Sequence, residues 1–191
     1  RAESGQALKA RYDNERLAQL YIEAKAVIEA EDPLKLIEDT IRELGYGGDL
    51  KPALITYLAA TSRLLAMREG AMPVHLLLTG PSSSGKSYTL GIIKKLLPEE
   101  AHYTVDAGSP RTVIYNNADL QHRVLVFGEA DSLPAGEDNP AASAIRNLLQ
   151  DHSLHYEVTV RDLETGDFKA RKVTKPGPTV LITTSTRSLG A

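Results

Sequence analysis

The sequence predicts an α/β fold in which a parallel sheet carries helices on both faces and a helical segment comes first. From Met72 onward, short apolar runs that suit buried strands alternate with helical segments. Residues 4–69 contain helical patterns only. A loop rich in glycine and serine joins the first apolar run to the next helix. Strands that alternate with helices lie parallel, because each crossover helix returns the chain to the same edge of the sheet.

The amino-terminal part predicts three helices. A loose apolar stripe among many charges indicates a helix over 4–30. Asp32 followed by Pro33 is an N-cap and first-turn pair, which predicts a second helix that ends at Gly45. A third helix is expected over about 50–69.

A domain boundary is expected near residue 31, where the charged first helix gives way to more apolar helices. The predicted domains are an extension over 1–31 and a core over 32–191. We expect the first helix to be a packing or oligomerisation arm rather than a catalytic part.

The core alternates strands and helices. Predicted helices follow the glycine-rich loop, Ser109-Pro110 and Asn139-Pro140. The predicted sheet strands are 73–79, 102–108, 123–128 and 179–185. Two further alternating runs, 154–160 and 168–174, flank a "DLETGD" turn signal and predict a hairpin inserted into the α/β scheme.

Composition excludes several classes of protein. The 191 residues carry a net charge of −3, so no overall basic field attracts nucleic acid or membranes. Cysteine is absent, which excludes a disulfide framework and cysteine-based zinc sites and fits a reducing cytoplasm. The apolar runs are far shorter than the roughly 20 residues that a membrane helix needs. The five histidines show no metal-ligand spacing.

The segment "GPSSSGKS" has the GxxxxGK[ST] pattern of a phosphate-binding loop. Its two glycines permit backbone angles that let N–H groups turn inward on an anion, and the following helix adds the positive end of its dipole. Lys86 supplies a charge for the β- and γ-phosphates, and Ser87 supplies a hydroxyl for Mg²⁺. The alternative is a surface turn, but the loop lies between a strand and a helix, as phosphate binding requires. The candidate residues are Gly80, Pro81, Ser82, Ser83, Ser84, Gly85, Lys86, Ser87 and Tyr88.

Acidic residues follow the third apolar run, "VLVF". Glu129 can orient and polarise an attacking water, and Asp131 can help Ser87 to hold Mg²⁺. Gly128 occupies the position where a metal-binding aspartate commonly lies, which weakens the metal site or passes its role to Glu129 or Asp131. The alternative is an acidic surface turn.

The fourth sheet strand ends in hydroxyl side chains. Because alternate residues of a strand share a face, Thr184 and Thr186 form one candidate pair, and Thr183 and Ser185 form the other. A hydroxyl here could donate to the γ-phosphate or to the lytic water. The alternative is the ordinary preference of threonine for strands.

A phosphate-binding loop, an acidic strand end and a polar strand end, in this order, resemble the AAA+ ATPases. The resemblance covers about 32–187 and implies ATP and Mg²⁺ as ligands, with Walker A at 80–87, a degenerate Walker B at 124–129 and sensor 1 at about 183–186. The hairpin resembles a presensor-1 β-hairpin, a mark of the helicase-like clade. Segments such as "HLLLTGPSSSGKSY" are similar to ATPases that accompany primases and helicases of phages and mobile elements. The resemblance also implies that the full-length protein forms a homo-oligomeric ring, for example a hexamer.

The resemblance also gives "GYGG" a role, because a glycine-containing linker contacts the adenine in AAA+ proteins. Tyr46 could stack on the base, and the alternative is a helix cap and turn. AAA+ cores have five strands in the order 5-1-4-3-2, whereas four are predicted here. The resemblance therefore implies that the fifth strand, the lid and the arginine finger lie beyond this chain, with Arg187 a weak candidate for the finger. Because such a finger is worth about 10³–10⁵ in rate, we expect slow hydrolysis by the chain alone.

Basic residues on the hairpin could contact the phosphates of DNA. The candidates are Lys169, Arg171 and Lys172, and "KARKVTK" also contains Lys175. The expected tip is acidic, so a contact would have to come from the basic strand. The alternatives are a solvated face or an interface between subunits.

Two functional classes remain open. The first is an ATP-hydrolysing motor of DNA replication or helicase type. The second is an ATP-dependent switch or remodelling protein that acts on a protein partner. A small-molecule kinase would need a substrate-binding lid, and no segment indicates one.

Overall fold

The computed structural model describes residues 5–65, 71–105, 111–130, 139–161 and 167–186. Its contacts divide the chain into two compact units, 1–47 and 48–191. The second unit contains the predicted parallel sheet with helices, so the α/β fold class is confirmed. No helix in the described ranges is long and apolar enough to cross a membrane.

The first unit consists of helices α1 (Gly5–Ile28) and α2 (Pro33–Glu43). The Asp32 carboxylate accepts a hydrogen bond from the Lys35 N–H at 3.0 Å, which confirms the predicted cap. Gly45, which follows the C-cap residue Leu44 of α2, has φ +91°, as expected of a helix stop. The boundary near residue 31 stays a prediction.

The second unit begins with α3 (Leu50–Thr61) and a short 3₁₀ helix (Ser62–Leu64). The prediction of a helix to residue 69 is wrong in its end point. The Ser62 hydroxyl donates to the Ala59 carbonyl at 2.6 Å and accepts from the Val74 N–H at 2.9 Å. Val74 lies in the segment that leads into the sheet, so this segment is hydrogen-bonded to Ser62, the residue at which α3 ends.

The remaining elements alternate as predicted. The helices are α4 (Lys86–Lys95), α5 (Arg111–Tyr115) and α6 (Pro140–Gln150), with a 3₁₀ turn at Glu99–Ala101. The strands are β1 (Leu76–Thr79), β2 (His102–Val105), β3 (Arg123–Phe127), β4 (Ser153–Arg161), β5 (Phe168–Pro176) and β6 (Thr179–Ser185).

Four of these strands form a parallel sheet in the order β1-β6-β3-β2. The last strand in the chain therefore lies between β1 and β3. Parallel strands end at one edge of a sheet. The loop after β1, Glu129 after β3 and Thr186 after β6 consequently meet at the same edge.

The strands β4 and β5 form the predicted hairpin, paired from Ser153 opposite Pro176 to Arg161 opposite Phe168. Leu154 of β4 is fully buried and belongs to the same apolar cluster as Leu125 and Leu148. The root of the hairpin is therefore part of the hydrophobic core.

Candidate nucleotide-binding site

The loop between β1 and α4 has the backbone that its glycines predict. Gly85 lies in the left-handed region at φ +86°, where a side chain would be strained. A Cβ on Gly80 would lie 3.0 Å from the Ser84 hydroxyl oxygen, so the Ser84 side chain would have to shift to make room for it. The Gly80 N–H donates to the Ser185 carbonyl at 3.2 Å, which ties the loop to the end of β6.

Lys86 lies across this loop. Its Nζ donates to the carbonyls of Gly80 and Pro81 at 2.7 and 2.8 Å, and to the Ser84 hydroxyl at 3.3 Å. The ammonium group is thus held over the cradle that the loop forms, as an anion site requires.

The first turn of α4 forms the other side of the candidate phosphate site. Gly85 is the N-cap and has no side chain that could cap the first-turn N–H groups. Ser87 and Tyr88 follow in this turn, and both are exposed. The helix start therefore favours an anion through its N–H groups and its dipole.

Ser87 faces Gly128 across a small cavity. The cavity has a volume of about 170 Å³, and its lining also includes Lys94 and Thr104. That Gly128 replaces a metal-binding aspartate stays a prediction.

Glu129 is exposed and follows β3 directly. Because β6 separates β1 from β3, the ends of those two strands lie about 10 Å apart. Asp131, the other predicted metal ligand, lies outside the described residues. Within the ranges that the structure describes, no group of three or more His, Cys, Asp or Glu side chains could hold a metal ion.

The two candidate threonines of β6 occupy different environments. Thr186 is exposed and lines a cavity of about 350 Å³ with Thr79, Gly80 and Pro81. Thr184 is 3% exposed, and its hydroxyl donates to the Gly128 carbonyl. The structure thus brings Thr186 to the loop and Thr184 to the turn before Glu129.

Tyr46 lies in the first unit, and its side chain is 7% exposed. Its N–H donates to the Ile41 carbonyl at 3.2 Å, and its carbonyl accepts from Arg42 at 2.7 Å. Its contact with adenine stays a prediction.

The basic residues of β5 are divided between the two faces of the hairpin. Arg171 lies opposite Val158, and Lys172 lies opposite Glu157 on the other face. Lys169 pairs with Val160 along the backbone of the hairpin. Both Arg171 and Lys172 are exposed. The predicted acidic tip lies largely outside the described residues.

Two titratable side chains with shifted pKa values, Lys175 and His75, were not among the predicted site residues. Lys175 is 7% exposed, and its Nζ donates to the backbone carbonyls of Asn116 and Ala118 and to the Asn116 side chain. Burial lowers the pKa of Lys175, while Asp119 opposes this shift. The sequence gives one sign that Lys175 points towards the core. Because alternate residues of a strand share a face, Lys175 lies on the same face of β5 as the apolar Val173.

His75, directly before β1, joins two other elements. Its Nδ1 accepts from the Leu181 N–H at 3.1 Å, and its Nε2 lies 3.3 Å from the Leu149 carbonyl. Burial lowers the pKa of His75, the Leu149 carbonyl opposes the shift, and His152 adds to it. The neutral imidazole with its proton on Nε2 satisfies both contacts.

The donor set fits a nucleotide. Loop N–H groups, the start of α4 and Lys86 suit phosphate oxygens, while the Ser87 hydroxyl and the Glu129 carboxylate are oxygen ligands of the kind that Mg²⁺ prefers. These features define a P-loop, and P-loop domains generally bind nucleotides with Mg²⁺.

Comparison with known proteins agrees with this geometry. No curated protein matches the chain. A family described as the MTBMA_p00010 P-loop domain matches residues 21–161, which include the loop, α4, β3 and β4. Since the match covers most of the chain and the loop has the corresponding structure, this chain belongs to the MTBMA_p00010 P-loop domain family.

Proposed function

We propose that this chain is the ATP-binding and ATP-hydrolysing module of an AAA+ motor of DNA replication or helicase type. The observation that carries the proposal is the strand order β1-β6-β3-β2. It equals the 1-4-3-2 part of the AAA+ order, with the polar strand β6 between the P-loop strand and the Glu129 strand. The hairpin inserted between α6 and β6 supports the helicase-like clade, and with it an association with phages or mobile elements.

The loop and α4 bind the phosphate chain in this proposal. Lys86 exchanges some of its contacts with the carbonyls of Gly80 and Pro81 for phosphate oxygens, which its flexible stem permits. Ser87 and Glu129 are the described residues that would hold Mg²⁺, and Asp131 is the third candidate. The chemistry that Mg²⁺ supplies when bound is neutralisation of charge on the β- and γ-phosphates.

Glu129 orients the attacking water and accepts its proton. Its exposed position at the edge of the sheet leaves room for a water and for the terminal phosphate. Thr186, beside Gly80, is the hydroxyl of β6 that is best placed to approach the nucleotide.

DNA contact and a homo-oligomeric ring are further parts of the proposal. Lys169, Arg171 and Lys172 would contact phosphates from the hairpin. Since Arg171 and Lys172 lie on opposite faces, a single strand of DNA would meet them from different sides.

An ATP-dependent switch that acts on a protein partner is the second candidate. Gly128 favours it, because a glycine beside Ser87 removes one metal-binding carboxylate and thereby slows turnover. Glu157 opposite Lys172 also favours it, because the carboxylate reduces the attraction of that face for DNA.

The test is steady-state Mg-ATP hydrolysis by the protein, with and without single- and double-stranded DNA, together with a direct ATP titration. We expect Lys86→Ala to lose ATP binding. We expect Glu129→Gln to retain binding and to lower turnover by about 10²–10⁴, the usual range for loss of a general base.

The outcomes separate the two candidates. Turnover that rises with DNA and disappears in both variants supports the motor. ATP-dependent turnover that is indifferent to DNA favours the switch. Unchanged ATP binding by Lys86→Ala would contradict the nucleotide site itself.

A further inference from the structure

The residue before Glu129 is held by the sheet from both sides. Strand β3 ends at Phe127, whereas its neighbour β6 continues beyond that level. At the point where the chain leaves β3, the Gly128 N–H donates to the Val105 carbonyl of β2 at 3.4 Å. From the other neighbour, the Thr184 hydroxyl donates to the Gly128 carbonyl.

This bond acts on the backbone of Glu129. The Gly128 carbonyl belongs to the same planar peptide unit as the N–H and Cα of Glu129. Holding that oxygen therefore fixes the plane from which the Glu129 side chain departs. A glycine without such a bond would leave this plane free to rotate, because glycine has the widest choice of backbone angles.

The hydroxyl of Thr184 has only one proton, which is donated to the carbonyl. The side chain is also 3% exposed, whereas Thr186 is exposed beside the P-loop. Thr184 within β6 and Thr186 directly after it thus lie in different environments.

We propose that Thr184 is a positioning residue that directs Glu129 through the Gly128 carbonyl and does not contact the phosphates. The inference rests on the proposed function, since it assigns Thr184 a role in hydrolysis. In this proposal, the hydrogen bond from Thr184 on the adjacent strand holds the Gly128 carbonyl in place.

The test uses variants that remove or retain one hydroxyl. Thr184→Val keeps the shape and loses the donor, and Thr184→Ser keeps the donor. Thr184→Ala is a smaller second variant in case valine prevents folding. Thr179→Val is the matched control, because Thr179 is a buried threonine on the same strand that donates to the Leu120 carbonyl at 2.8 Å. It lies about 17 Å from Thr184 along β6.

We expect Thr184→Val to lower kcat between about tenfold and a hundredfold, since a misplaced catalytic group has effects of this size. The Kd values for ATP and ADP, and their ratio, should stay unchanged. Thr184→Ser should retain most of the turnover. Thr179→Val should lower Tm without a change in kcat measured well below Tm.

Three results would overturn the inference. The first is wild-type kcat in Thr184→Val. The second is a selective loss of ATP affinity relative to ADP, which would indicate direct contact with the terminal phosphate. The third is an equal loss of kcat in Thr184→Val and Thr179→Val, which would indicate a general structural effect.

The failure of the proposed function is distinguishable from these results. A wild-type protein that binds ATP and never hydrolyses it would contradict the hydrolytic function, and the inference with it. Turnover that Glu129→Gln abolishes and Thr184→Val leaves intact would overturn the inference alone.

Discussion

At the scale of single residues, Gly85 decides the shape of the phosphate-binding loop. Its φ of +86° is the left-handed conformation that other residues adopt only with strain. A Cβ at this position would meet no atom within 4 Å, so the penalty for a substitution comes from the backbone and not from crowding. The conformation also determines where α4 begins, and hence where its N–H groups point.

We predict that Gly85→Ala destabilises the folded protein by about 1–2 kcal/mol and weakens nucleotide binding. Gly91→Ala is the matched control, because Gly91 lies inside α4 with open space around its Cβ position. It should stabilise the protein by about 0.5–1 kcal/mol. Urea unfolding and ATP titration measure both effects. Equal stability of the two variants would contradict the argument.

At the scale of elements, hydrogen bonds at the base of the hairpin connect it to the segment before β3. Lys175 donates to two backbone carbonyls in the segment 116–118, which leads towards β3. Its ammonium group is buried, and its hydrogen-bond partners in the described residues are neutral oxygens. Such a group depends mainly on its hydrogen bonds, and the Asp119 carboxylate offsets only part of the cost of its desolvation.

We predict that Lys175→Met lowers the free energy of unfolding by about 1–3 kcal/mol, the range for hydrogen bonds that involve a charged group. Lys172→Met removes the same charge from an exposed position on the same strand, and should change stability by less than about 0.5 kcal/mol. Chemical denaturation compares the two. A gain of stability in Lys175→Met would mean that desolvation of the ammonium outweighs its hydrogen bonds.

At the scale of the whole molecule, stability depends on pH through the half-buried imidazole of His75. His75 holds β6 by accepting from the Leu181 N–H, and burial lowers its pKa below the usual 6.5. The unfolded chain therefore binds a proton at His75 at a higher pH than the folded chain does. This contribution to stability is complete above about pH 6.5 and is lost as pH falls from there through the folded pKa.

We predict that the free energy of unfolding decreases as pH falls below about 6.5, and that His75→Gln reduces this slope. Glutamine can accept from Leu181 and donate to Leu149 without a titration in this range. His155→Gln is the control, because His155 is exposed on the hairpin. Denaturant titrations between pH 5 and 8 provide the test, and an unchanged slope in His75→Gln would contradict it.

Much of the fold follows from local sequence signals. The capping residues Asp32 and Asn139 accept the predicted hydrogen bonds at the starts of α2 and α6. Local signals did not predict the end of α3, because Ser62 forms a hydrogen bond with Val74, twelve residues later in the chain. A helix end that a tertiary contact imposes has no signal within the helix itself.

The sequence likewise predicted some parts of the candidate site and not others. The spacing of Gly80, Gly85 and Lys86 predicts the P-loop, because these residues act within one short segment. The sequence could not divide the roles of Thr184 and Thr186, because alternation gives them the same face of β6. Their separate environments depend on where β3 ends beside them.

The sequence by itself determined the P-loop, the succession of helices and strands, and the inserted hairpin, since each depends on neighbours along the chain. The tertiary structure shows directly that β6 lies between β1 and β3, an order that the sequence suggested only through its resemblance to AAA+ proteins. Only the tertiary structure decided that the Thr184 hydroxyl reaches Gly128 and that Lys175 binds the hairpin to the segment 116–118. These last two contacts join residues 56 and 59 positions apart. The physical reason is that the order of strands in a sheet brings such residues together, and that order is fixed by packing of the whole core rather than by any local pattern.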